Sequence, residues 1–149
     1  MLYAVLLMPI LILVFALAVD VGSLQMHKLR LRYALDMATV AAATEVDTAT
    51  YTRTGRLQLD TTAATAAARE YLVRNLSGLP DSPNPRGIAL AADIAVVNRV
   101  PAPDPFTGVR LDRPAVCVRI RVPHRFDLLN WIGLQSVDLT VAADAEIRT

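Results

Sequence analysis

The chain has 149 residues, room for one domain plus an appendage and too few for two full domains. Its 15 basic and 14 acidic residues nearly cancel and give no sign of the clustered basic surface of a nucleic-acid binder; a single cysteine, Cys117, excludes an internal disulfide framework and a thiolate metal cluster. Hydrophobic residues make up 54%, high for a soluble domain, so a membrane segment is the first thing to look for.

It begins at the N-terminus. Met1 to Val19, MLYAVLLMPILILVFALAV, contains no charge, and Asp20 ends the run. As a helix these residues span roughly 28 Å, close to the hydrocarbon thickness of a bilayer. A core helix of a soluble protein is rarely apolar on every side for about five turns. A cleaved secretory signal would carry a basic n-region before a shorter apolar core. The Ala16-Leu17-Ala18 triplet is a weak cleavage mimic, and the helical pattern runs straight through it. Pro9 removes one backbone donor and predicts a mild kink.

The helical pattern continues past the apolar run to about Thr48, for a predicted length of roughly 70 Å. Leu24, Leu31, Leu35, Ala38 and Ala42 recur at helical spacing, and Ala34, Ala38, Ala41, Ala42 and Ala43 form a small-residue face that permits close helix approach. A domain of this size can bury only part of such a helix, and the remainder needs lipid or other copies of the chain. The predicted subunit interface is Leu6, Pro9, Leu13, Asp20, Leu24, Leu31, Ala34, Ala38 and Ala42. An acid at the end of an apolar helix is costly unless it reaches water or a cation. Asp20 is therefore read either as a boundary residue or as one half of an intersubunit pair with Lys28 or Arg30 of a neighbour. Lys28, Arg30 and Arg32 follow the apolar run, which by the positive-inside rule alone would put that flank in the cytoplasm.

Residues 54–149 read as a separate α+β domain after a helical segment of residues 1–53. Asp60 or Thr61 caps a second helix over TTAATAAAREYLVRNL that stops at Ser77-Gly78, with Ala64, Ala67, Ala68, Tyr71, Leu72 and Leu76 as its apolar face. Leu79 to Gly87, with Pro80, Pro83 and Pro85, reads as a loop. Three strands follow: Ile88–Val100; Val116–Val122, alternating with Cys117, Arg119 and Arg121; and Val137 onward, alternating apolar and polar through Ile147 and Arg148. One apolar and one charged face predict an antiparallel sheet covered on one side by the long helix and the second helix. Arg119 and Arg121 could pair across strands with Asp144 or Glu146. The connection Pro101–Arg113 reads as a turn or hairpin. The segment Phe126–Leu134 reads either as a short helix on the sheet or as a contact with membrane or neighbour, since Trp131 suits both interfaces.

Candidate chemistry is sparse. Cys117 falls on the polar face as an inert residue or an intermolecular disulfide, and His27 and His124 are far apart with no second metal ligand in view. No phosphate-binding glycine loop, zinc spacing or nucleophile elbow occurs, so no catalytic residue, cofactor or metal is assigned.

Leu7-Met8-Pro9-Ile10-Leu11-Ile12, the Ala18-Val19-Asp20-Val21-Gly22 step, the basic patch and the helix from Leu29 to Ala38 with its alanine run together resemble the N-terminal region of TadE/TadG-like proteins of Tad (tight adherence) pilus systems. The strand pattern Val116–Val122 and Val137–Ala143 agrees with the same family. The resemblance implies a pilin-like fold. It also implies inner-membrane insertion with the C-terminal domain outside the cytoplasm, the basic patch lying beyond the embedded part of the helix. The implied partners are itself as a homo-oligomer or helical filament, other pilus-assembly proteins, and lipid before assembly. Many pilins carry a Glu at the fifth residue after cleavage; this sequence has Val5 and no acid before Asp20. The expected role is a structural or assembly subunit of a Tad-type pilus, in which a bulky residue at Ala38 or Ala42 blocks assembly without unfolding the β domain. The competing reading is a single-pass anchored binding module acting alone through its Pro-rich loops.

Overall fold

The computed structural model describes residues 2–79 and 84–147, and side chains within these except those of residues 2–6 and 132. Met1, Pro80, Pro83 and Arg148 therefore lie outside the described residues. The fold is α+β and pilin-like: a long N-terminal helix, three further helices and a small antiparallel sheet.

Helix α1 runs unbroken from Leu2 to Ala42 through Pro9, about 62 Å at the usual rise. It stops six residues before the predicted end. The Thr44 hydroxyl bonds back to the Ala41 carbonyl. The chain then turns so that Val46 bridges Leu59, with Asp47 N–H donating to Gln58 and Asp60 N–H to Glu45. Asp47 caps a separate short helix, α2 (Thr48–Thr54), closed by Gly55 in the left-handed region at φ 68°. Helix α3 (Thr61–Leu76) begins at Asp60, whose Oδ1 accepts from the amides of Thr62 and Ala63. It buries Ala64, Ala68, Leu72 and Leu76, one residue per turn of the face predicted for it, while Tyr71 remains exposed.

The first predicted strand is half helix. Asn84 caps α4 (Pro85–Ala91), its Oδ1 accepting from Gly87 N–H, and Pro85 occupies the first helical position. Only Asp93–Val97 is extended, as β1. After the short hairpin β2 (Ala102–Pro103) and β3 (Arg110–Leu111), the long strands β4 (Ala115–Arg125) and β5 (Ser136–Glu146) pair antiparallel, and the sheet order is β1-β4-β5. Because Arg119 stands opposite Ala142 and Arg121 opposite Thr140, neither reaches Asp144 or Glu146 as predicted. Arg119 instead pairs at 2.7 Å with Asp93, its register partner on β1.

Val116, Val118, Ile120 and Val122 of β4 and Leu139, Val141 and Ala143 of β5 face α1 and α3 to form the core. Alanines enter it from both helices, Ala34, Ala38 and Ala42 from α1 and Ala64 and Ala68 from α3. Such small residues let two backbones approach closely, and Asn75 Nδ2 donates to the Ala34 carbonyl across the seam at 3.3 Å. The Asn98 side chain clamps Leu59 at both its N–H (2.8 Å) and its carbonyl (2.9 Å), tying the turn between α2 and α3 to the end of β1.

The second face of the sheet is not bare. Loop residues Val100, Phe106 and Leu111 fold over Ala115 and Cys117 as a second, smaller core. The Asp104 carboxylate shapes that loop by accepting from Phe106 N–H and the Thr107 hydroxyl, while Gly108 turns it at φ 75°.

Candidate functional site at the helix–domain junction

Two opposed stripes divide α1. One is buried in the chain's own domain: Asp20, His27, Leu31, Ala34, Leu35, Ala38, Thr39 and Ala42, with Leu24 half-buried. The other is exposed and apolar: Met26, Leu29, Tyr33, Met37 and Val40. At about 100° per residue the stripes lie roughly 150° apart around the axis. The exposed stripe continues into the apolar run, where every large hydrophobic side chain from Leu7 to Val19 is exposed, Phe15 by 67%.

Much of the predicted subunit interface lies on the buried stripe. Leu31, Ala34, Ala38 and Ala42 are covered by α3 and the sheet, so the alanine face serves the chain's own core. Leu24 packs against the same core. Pro9 and Leu13 lie on the same side of α1 beyond the domain and are exposed, and the Leu6 side chain is outside the described residues. The exposed stripe is masked in the sequence because Met26, Leu29, Tyr33, Met37 and Val40 alternate with Lys28, Arg30, Arg32 and Asp36, while the alanines offer a competing face. Their i, i+3, i+7 spacing was the available signal.

The structure also gives Asp20 other partners than Lys28 or Arg30. The two cations are exposed on α1, whereas Asp20 is 0% exposed. Its Oδ1 accepts from the backbone N–H groups of Asp127 (3.3 Å) and Leu128 (3.2 Å), and its Oδ2 from Leu128 (3.1 Å) and Leu129 (2.6 Å). Three consecutive amides thus converge on one carboxylate at the start of a 3₁₀ turn, Leu129–Ile132. Such charge-assisted bonds satisfy the acid and the otherwise free N–H groups together. The insert 126–134, a connection between β4 and β5, is thereby pinned to the first charged residue after the apolar run. Leu129 is buried at this junction, and Trp131 is 92% exposed. Nearby, the His27 ring packs on His124 at 5.3 Å between centroids, and His124 meets Phe126 edge-on. The two histidines, distant in sequence, are therefore neighbours here, and neither belongs to a group of three or more potential metal ligands among the described residues.

Cys117 lies on the face predicted for it but is fully buried under the loop. Burial first, and then the Asp104 carboxylate as a charge and as hydrogen-bond partner of the thiol, push its pKa up to about 12. That is far from the activated thiolate a reactive cysteine needs.

Helix α1 is long and apolar enough to cross a membrane. No curated protein and no solved structure matches the chain. Residues 1–45 match the Tad family model, that of Flp pilus-assembly TadE/G-like proteins, and the match ends within three residues of the end of α1. Over these first 45 residues the chain is similar to TadE/TadG-like proteins of Flp pilus assembly.

Proposed function

We propose that this chain is a pilin-like structural or assembly subunit of a Tad-type pilus. It is held as a single span through the first half of α1, with the α+β domain outside the cytoplasm, and assembles with copies of itself and with other pilus-assembly proteins. The observation that carries this reading is the uncovered apolar surface of α1. Every large hydrophobic side chain is exposed from Leu7 to Val19, and one stripe stays exposed to Val40 while the opposite stripe is buried in the domain. Lipid can cover the first part. The stripe from Met26 to Val40 extends beyond a roughly 30 Å hydrocarbon layer and needs a protein neighbour. The family match over residues 1–45 supports the same assignment. The interface in this reading is Phe15, Val19, Met26, Leu29, Tyr33, Met37 and Val40, with Pro9 and Leu13 available on the other side below the domain.

The test is electron microscopy of filaments sheared from producing cells, with mass spectrometry of the same fraction. A filament subunit is recovered there with its N-terminal peptide. A chain absent from filaments and retained with the membrane fraction would instead act as an anchored module or assembly factor.

A further inference from the structure

Resting on the reading of α1 as a membrane span, we propose that the tip formed by residues 126–134 seats on the bilayer at the boundary between headgroups and acyl chains. Trp131 is its anchor and Asp20 its positioning residue. The depth follows from the helix. Asp20 is the first charged residue after the apolar run whose large side chains are exposed from Leu7 to Val19, and a carboxylate is costly inside hydrocarbon. Asp20 therefore marks where α1 leaves the apolar layer. Its carboxylate holds three successive amides of the tip, so the tip lies at the same depth. There the chain exposes its one tryptophan almost completely, flanked by exposed Leu128 and Leu134. An indole ring with an apolar body and one N–H donor suits this layer, which is why Trp is enriched at membrane–water interfaces. Lys28 and Arg30 lie about 12–15 Å further along α1, where long side chains can reach back toward phosphates. Arg125 is exposed at the strand end that enters the tip, and exposed Asp127 offsets it. Apolar insertion, rather than attraction to anionic lipid, is therefore the main source of binding.

The single tryptophan makes the test direct. The full chain is reconstituted in phosphatidylcholine vesicles at low protein-to-lipid ratio. Trp131 fluorescence is then read with nitroxide lipids labelled near the headgroup or deep in the acyl chain, and with aqueous acrylamide. The expected result is stronger quenching by the shallow label than by the deep one, and acrylamide quenching several-fold weaker than in the urea-unfolded chain. Asp20→Asn should reduce shallow quenching while the protein stays in the vesicles; unchanged quenching in that variant overturns the positioning role. Full acrylamide access with neither lipid quencher active overturns the proposal. So does protection that grows with protein-to-lipid ratio while the lipid quenchers stay silent, which identifies a second copy as the occupant. An alkaline carbonate wash separates the two levels. Release of the chain refutes the membrane span itself, whereas a retained chain with a water-exposed Trp131 refutes this inference alone.

Discussion

Replacing Ala38 with Leu separates an alanine face that serves the domain from one that serves a neighbour. Ala38 is 0% exposed, in the seam where α1 meets α3 and the sheet. Leucine adds three carbons there. If room existed, their burial would stabilise the fold by about 0.8 kcal/mol each. The seam carries Ala34, Ala42, Ala64 and Ala68, and the larger side chains of the same core, Leu35, Leu72 and Val118 among them, are themselves fully buried with no free space to move into. The larger group must push the helices apart, and overpacking of this kind costs about 1–3 kcal/mol. At about 2–4 °C per kcal/mol for a chain of this size, the domain should melt roughly 2–12 °C lower. The assay is thermal unfolding of the detergent-solubilised full chain by near-ultraviolet circular dichroism, with Tyr33→Ala as the exposed control, expected within about 0.5 kcal/mol of wild type. An Ala38→Leu protein that melts like wild type yet fails to assemble would refute the reasoning. It would restore the sequence-level expectation that this face meets another subunit.

Three further outcomes follow. On the exposed stripe, Tyr33→Arg should abolish incorporation into filaments while leaving the domain's melting temperature unchanged; normal incorporation would move the interface elsewhere. Asp144 is exposed at the sheet surface, and partial desolvation by its neighbours, then the charges of Asp104, Glu146 and Asp36, raise its carboxyl pKa, against a smaller opposing effect of Arg32. The folded chain thus holds this proton more tightly than the unfolded chain. The group's stability contribution is complete below the unfolded value of about 4 and is lost as pH rises through the raised folded value. Asp144→Asn should therefore have a higher urea midpoint than wild type at pH 7, with the gain vanishing in acid, and equal midpoints at pH 7 would contradict this. Cys117, with its pKa near 12, should react with a maleimide at pH 8 roughly 10³-fold more slowly in the native chain than in urea. Fast native labelling would mean that the loop over it opens.

Several elements are legible without the fold because their causes are local. Nineteen uncharged apolar residues ended by Asp20 identify the long apolar helix. Asp60 before an alanine-rich run identifies α3 and its first residue, since the cap needs only side chain and backbone within three positions. Strict alternation from Val137 to Ile147 identifies β5. The α4 signal is also local: Asn84 followed by Pro85 is a capping residue before a helix-starting proline, in a stretch whose other prolines read as a loop.

The site was less legible, because its partners are distant. The sequence alone established that α1 needs a cover and that Asp20 needs a partner. It could not say which face the domain takes. Helical periodicity shows that stripes exist, whereas their allocation depends on where α3 and the sheet pack, and that placed Ala38 and Ala42 inside the core and Met26, Leu29 and Tyr33 outside. Nor could it find the partner of Asp20. Backbone amides have no residue signature, and those of Asp127, Leu128 and Leu129 lie over a hundred positions away in sequence. Only the antiparallel pairing of β4 with β5, which turns the chain back beside the end of the apolar run, brings them to the carboxylate.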